Sequence, residues 1–227
     1  MMNKSDIEKL LSQSVINSEI YKDALTHRSA SNKNNERLEF FGDAILGFIV
    51  AEYLYENFPN DDEGSLSRKR SYLVRKETLS KIANFYNIGN KVILGQGERK
   101  SGGNRRDSII SDTLEALIAV VYIIDGPKEA KLFIHKIFDK YITTLPSNDD
   151  LKDSKTKLQE LLQSHNCSLP LYETDEINVN KKITFETLCK IVEHNICENG
   201  VGLNKRKSQQ QAASKAYKKV LEIYKNE

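Results

Sequence analysis

The sequence predicts a mostly α protein, an all-helical part over residues 1–146 followed by a small α-β-β-β-α unit over residues 154–225. Three observations predict it. Apolar residues recur at helical spacing through the first part, with no strand-like alternation. A polar stretch containing Pro146 then interrupts the pattern over residues 147–153. Alternation of period two appears only after that break.

The elements follow in order. Ile7, Leu10 and Leu11 set an i, i+3, i+4 stripe for a first short helix. Leu38, Phe41, Ile45 and Phe48 set another, for a helix running from about Asn35 to Asn57 with Pro59 just beyond its end. From Ala44 to Leu54 this helix is apolar on most sides, so it is expected to be central and buried. Ser65 is the expected N-cap of the next helical stretch, which carries Leu66, Leu73, Leu79, Ile82 and Ala83. Ser108 is the expected cap of an apolar helix over Ile109–Ile124. Gly126-Pro127 ends that helix and opens the next, with proline at its first position.

Beyond the linker, Leu158, Leu161 and Leu162 mark a short helix over Ser154–Ser164. Extended segments follow near Leu171–Asn178 and Ile183–Val192, the latter alternating at Ile183, Phe185 and Thr187. A third strand around Asn195–Gly202 leads into a closing helix over Lys205–Tyr224.

Composition excludes several classes. Of the 227 residues, 39% are hydrophobic and 29% charged, the balance of a folded soluble protein. The longest apolar runs, Ile45–Ala51 and Leu117–Ile124, are far short of the roughly 18 residues that span a bilayer. The N-terminus is polar and lacks the apolar core of a signal peptide, so a cytoplasmic protein with no membrane partner is expected. Cys167, Cys189 and Cys197 form no C-x-x-C pair and the four histidines form no ligand pair, which argues for reduced thiols and against zinc. A net charge of +2 does not by itself announce a nucleic-acid binder, so any basic surface must come from local clustering.

Carboxylates stand where they are expensive. Glu36, Glu39 and Asp43 fall at i, i+3 and i+7, within a face of about 60°, on the helix expected to be buried. Asp112 and Glu115 sit at i, i+3 in the apolar run SIISDTLEALIAVV. Arg37 and an exposed helix start could absorb Glu36, but Asp43 and Glu115 are flanked by apolar residues. If the two helices cross, these acids repel one another unless a divalent cation joins them. Hard oxygen donors favour magnesium, with manganese as a substitute, over zinc. Gly42, Gly47 and Ala116 would permit a close approach. A solvated or salt-bridged acidic face is the other reading of the same spacing. The chemistry that fits a bound cation is phosphodiester hydrolysis, in which it activates water and stabilises the leaving oxygen. There is no G-x-S-x-G and no triad, so no protein nucleophile or organic cofactor is expected.

Residues 35–46, NERLEFFGDAIL, resemble the signature of the ribonuclease III family, with Phe41 in place of a common leucine. ALTHRS (24–29), DEGSLSRKRSYLV (62–74), LGQGERKSGGNRRDSII (94–110) and SDTLEALIA (111–119) resemble further family segments in family order. The resemblance implies an endonuclease domain in which Glu39, Asp43, Asp112 and Glu115 are the metal ligands and catalytic residues. Glu36 and Glu63 match acids lining the same valley. It further implies a homodimer whose two centres each cut one strand of a double-stranded RNA. The implied products carry 5′-phosphate and 3′-hydroxyl ends with short 3′ overhangs, and the implied substrates are ribosomal precursors and structured messages. A two-fold symmetric protein suits a duplex physically.

KSGGNRRDS reads either as a flexible loop before a helix or as a phosphate contact through Arg105, Arg106 and the helix N-terminus; nearness to the cleavage site under the resemblance favours the second. The C-terminal unit resembles a double-stranded-RNA-binding domain. Six basic residues and no acid lie between Gly200 and Lys219, and Lys205, Arg206 and Lys207 at the helix start are the expected phosphate contacts. Thr156, Gln159 and Glu160 are the expected minor-groove contacts. The loop Asn178–Lys182 lacks the family's Gly, Pro and His, leaving Asn180 and Lys181 as its candidates for RNA contact. A non-catalytic RNA-binding or ribosome-associated protein and a metal-dependent hydrolase of another substrate are the alternatives. A complete acid set speaks against the first, and an RNA-binding tail against the second.

Overall fold

A computed structural model of the chain describes residues 5–179 and 182–225. Two compact units divide it, Met1–Leu145 and Pro146–Glu227. The first holds eight of the α-helices: α1 (Gln13–Ile16), α2 (Glu19–Leu25), α3 (Glu36–Asn57), α4 (Glu63–Val74), α5 (Lys76–Phe85), α6 (Gln96–Lys100), α7 (Asp107–Asp125) and α8 (Pro127–Thr143). The Ile7 stripe forms a 3-10 turn over Ile7–Leu10.

The core is built around α7. Ile110, Leu114, Ala116, Leu117, Ile118, Ala119 and Val120 are fully buried on it, with α2, α3, α5 and α8 packed around. A helix apolar all round is stable only when so surrounded. Gly126, at φ +89° in the left-handed region, ends α7 and lets Pro127 open α8.

The closest approach is that of α3 to α7. A Cβ on Gly42 would lie 1.8 Å from the Glu115 carbonyl oxygen, so no residue but glycine fits there without moving a helix. Gly47 plays no such part within the chain, for a Cβ there would meet nothing within 4 Å. The expected buried stripe of α3 also needs correction. Gly42, Ile45, Leu46, Ile49, Val50 and Leu54 face the core, whereas Phe41 is 39% exposed and Phe48 68% exposed. Phe40 and Tyr55 join Phe48 on that outer face. A helix apolar on two sides does not declare in sequence which side meets its own chain.

Three local expectations also differ from the structure. Asp62, and not Ser65, caps α4 by accepting the Ser65 amide at 2.6 Å. The helical run then breaks at Arg75, whose extended backbone (φ −68°, ψ 150°) separates α4 from α5. Ser108 lies inside α7, which begins at Asp107 behind Arg106 with no side-chain cap; the acidic Asp107 complements the helix N-terminus instead. The linker carries a short helix, α9 (Asn148–Leu151), because Ser147 accepts the Asp150 amide at 3.2 Å.

In the second unit α10 (Ser154–Ser164) precedes β1 (Leu171–Val179), β2 (Lys182–Ile191), β3 (Ile196–Gly202) and α11 (Lys205–Lys225). The strands form an antiparallel sheet in the order β1-β2-β3, with Thr187 of β2 opposite Thr174 and Gly200. Leu158, Leu162, Cys189, Ile191, Ala212, Ala213 and Ala216 make its core. Cβ atoms at Gly200 or Gly202 would strike the first turns of α11 at 2.3 and 2.4 Å, so these two glycines let the helix lie against β3.

Substituting Gly42→Ala is expected to destabilise the helical unit by about 2–3 kcal/mol, the cost of overpacking against rigid backbone, despite the roughly 1 kcal/mol that alanine gains over glycine in a helix. Urea denaturation followed by circular dichroism measures it. An unchanged or raised midpoint would show that the helices have room between them.

Candidate metal centre and nucleic-acid interface

The crossing at Gly42 brings together acids from both helices. Carboxylate oxygens of Glu39, Asp112 and Glu115 lie within 4.8 Å of one another. Glu39 is three residues before Gly42, Asp43 one after it, and Asp112 one turn before Glu115, so both helices present their acids toward the same crossing. Asp43 is exposed and stands outside that group of three, yet its charge is the largest Coulombic influence on Glu115.

Electrostatics mark the cluster as unsatisfied. Glu115 is 7% exposed, and burial, then Asp43, Asp112 and Glu39, push its carboxyl up to about 8. Glu39 is raised as well, first by burial and then by Asp112. Both causes penalise the charged form, and a divalent cation would offset both. An ion with octahedral oxygen ligands at about 2.1 Å needs opposite donors about 4.2 Å apart. The three carboxylates, within 4.8 Å of one another, are on that scale. The donors are all carboxylates, so the site fits magnesium or manganese and offers nothing to a soft metal.

One neighbour was not foreseen in the sequence. Lys76, the first residue of α5, donates to Asp112 Oδ1 at 3.0 Å. The break at Arg75 puts it there.

A cavity of about 470 Å³ adjoins the cluster, lined by His27, Arg28, Glu36, Glu39, Arg106 and Asp112 among others. An isolated bridge, Thr26 against Ile93, with the His27 amide donating to the Ile93 carbonyl at 3.0 Å, fixes the chain just before the lining residues His27 and Arg28. Glu36 lines the cavity and pairs with Arg28 at 3.3 Å. Arg106 lines it too and pairs with Glu98 at 2.8 Å. Arg105 is exposed at the end of a 3-10 turn, Gly103–Arg105. Glu63 accepts from Ser67 at 2.8 Å on the first turn of α4 and is not among the clustered acids. The valley thus mixes carboxylates with guanidinium groups, which suits a polyanion whose phosphates approach a cation.

In the second unit Lys205, Arg206 and Lys207 are exposed at the start of α11. Their helix is anchored by hydroxyls, Thr187 to Ser208 at 2.7 Å and Thr174 to Thr187 at 2.9 Å. Asp153 caps α10 through the Thr156 amide at 2.9 Å, and Gln159 and Glu160 are exposed on that helix, Glu160 paired with Lys152. Asn180 and Lys181 lie outside the described residues. No helix among the described residues is long and apolar enough to cross a membrane.

Residues 17–141 match the Ribonuclease-III-like family, and residues 154–220 match the double-stranded RNA binding motif. Ribonuclease 3 of Buchnera aphidicola subsp. Acyrthosiphon pisum (strain Tuc7) is 46% identical over 211 residues, 92% of this chain and 93% of that protein. Ribonuclease 3 of Histophilus somni (strain 2336) is 41% identical over 220 residues, 96% of this chain and 99% of that protein. A solved nuclease domain of ribonuclease III from Campylobacter jejuni, described with a flexible region involved in dimer formation, superposes with a TM-score of 0.55 at 40% identity, covering 60% of this chain and 97% of that one. With matches over both units and near-full-length relatives above 40% identity, the chain belongs to the ribonuclease III family.

Proposed function

We propose that the chain is a double-strand-specific endoribonuclease that hydrolyses phosphodiester bonds with magnesium, manganese substituting, as a cytoplasmic homodimer. The observation that carries this reading is the convergence of Glu39, Asp112 and Glu115 within 4.8 Å at a point where Glu115 is buried. Glu39, Asp43, Asp112 and Glu115 hold the ion, which when bound supplies an activated water and neutralises charge on the leaving oxygen. Glu36 lines the cavity beside them, and Glu63, outside that cavity in the single chain, is assigned to the same valley on the resemblance of residues 62–74 alone. Arg105, Arg106 and the N-terminus of α7 hold the RNA backbone beside the ion.

The second unit orients the duplex. Lys205, Arg206 and Lys207 grip phosphates across the major groove, and Thr156, Gln159 and Glu160 face the minor groove with its 2′-hydroxyls. Asn180 and Lys181 complete the contact in place of the family's histidine loop. Cleavage leaves 5′-phosphate and 3′-hydroxyl ends with short 3′ overhangs, on ribosomal precursors and other structured RNAs. Three free thiols suit a reducing compartment. The outer face of α3, with Phe40 79%, Phe48 68% and Tyr55 77% exposed, is the apolar patch a second copy would cover. The dimer formation described for the Campylobacter domain supports a homodimer.

Incubation of Glu115→Gln with a long perfect RNA duplex and Mg²⁺ is expected to lower cleavage on the order of 10²–10³-fold while leaving duplex binding unchanged. Normal cleavage would remove Glu115 from the mechanism. Because Glu115 releases its proton near pH 8 when no ion is present, Mn²⁺ affinity is expected to climb from pH 6 to about 8 and level off above. That climb should flatten in Glu115→Gln. Phe48→Glu is expected to yield a folded monomer by analytical ultracentrifugation; a persistent dimer would place the interface elsewhere.

A further inference from the structure

Lys76 stands in an unusual place. It is the first residue of a helix, where the macrodipole disfavours a cation. Its ammonium nevertheless reaches back to Asp112 at 3.0 Å, and the charges of Glu39 and Glu115 also act on it. Its side chain is 63% exposed, so solvent is open to it, yet it lies over the acids. Asp112 is only 23% exposed and belongs to the group of three that converge within 4.8 Å. Among the described residues Lys76 carries the one ammonium paired with a member of that group.

We propose that Lys76 is a resident counter-cation of the acidic cluster, holding Asp112 and its neighbours assembled while no divalent ion is bound and yielding the place when one enters. The proposal rests on the reading of Glu39, Asp112 and Glu115 as a metal site. Without a compensating charge, carboxylates from α3 and α7 would push the two helices apart at their narrowest crossing. An ammonium on a flexible stem suits the task, because it pairs as a point charge and swings into water at little cost. A divalent ion brings twice the charge and binds several carboxylates at once, so it displaces the amine. The amine in turn opposes entry of the ion, weakening metal binding by about tenfold, the scale of one like charge at this range in a partly solvated site. Lys76 is therefore a positioning residue. It sets both the integrity of the metal-free centre and the concentration at which the metal fills it.

The test is Mn²⁺ titration calorimetry at pH 8 on wild type, Lys76→Met, Lys76→Arg and Glu115→Gln, with melting curves in chelator and in saturating Mn²⁺. Lys76→Met is expected to bind Mn²⁺ about tenfold more tightly, to melt lower than wild type in chelator, and to match it when saturated. Lys76→Arg, which keeps the charge, should stay close to wild type. Equal or weaker Mn²⁺ binding by Lys76→Met, while Glu115→Gln loses binding, overturns the role of Lys76 and leaves the metal site standing. If Glu115→Gln binds Mn²⁺ as wild type does, the metal-site reading fails and this proposal fails with it.

Discussion

The contact on which the rest depends is the backbone approach of α3 to α7 at Gly42 and Glu115. A glycine hydrogen is all that separates Gly42 from the Glu115 carbonyl, since a Cβ would intrude to 1.8 Å. That nearness turns two acidic helix faces into one cluster. It buries Glu115 and raises its proton affinity. Packing has been arranged at the expense of electrostatics. A cation bound among these carboxylates would offset that penalty.

Several features that serve the site lie around this crossing. The break between α4 and α5 delivers Lys76 to Asp112. The Thr26–Ile93 bridge lays His27 and Arg28 along the cavity beside Glu36. Arg106, held by Glu98, immediately precedes α7. In the second unit a comparable economy appears. Gly200 and Gly202 bring α11 onto β3, and the Thr174–Thr187–Ser208 hydroxyls fix its first turns, so that three basic side chains project from a rigid start.

Much of this was legible in sequence because it is local. Helix α3, the Gly126-Pro127 junction, α10 and the three strands follow from periodicity and punctuation. Glu115 was legible for the opposite reason, since it violates the pattern of the apolar helix that carries it, whereas Asp43, flanked by apolar residues in sequence, lies on the exposed side of α3. Gly42 could be suspected, but nothing local separated it from Gly47, whose neighbourhood is open. Phe48 reads as core because outward and inward apolar faces look alike before the partner is known. The break at Arg75 carries no glycine or proline, so Lys76 gave no sign of its destination. Ser65 and Ser108 lost the capping role to Asp62 and to an uncapped start, a choice decided by where tertiary packing places the helix ends.

The central claim is that carboxylates from both helices share one divalent ion. Anomalous diffraction from crystals of the protein soaked in Mn²⁺ tests it most directly. The account predicts a peak bounded by Glu39, Asp112 and Glu115, with Asp43 close by and Lys76 swung away from Asp112. A well-occupied crystal with no peak at that crossing, or with Mn²⁺ bound only to other surface acids, would contradict it.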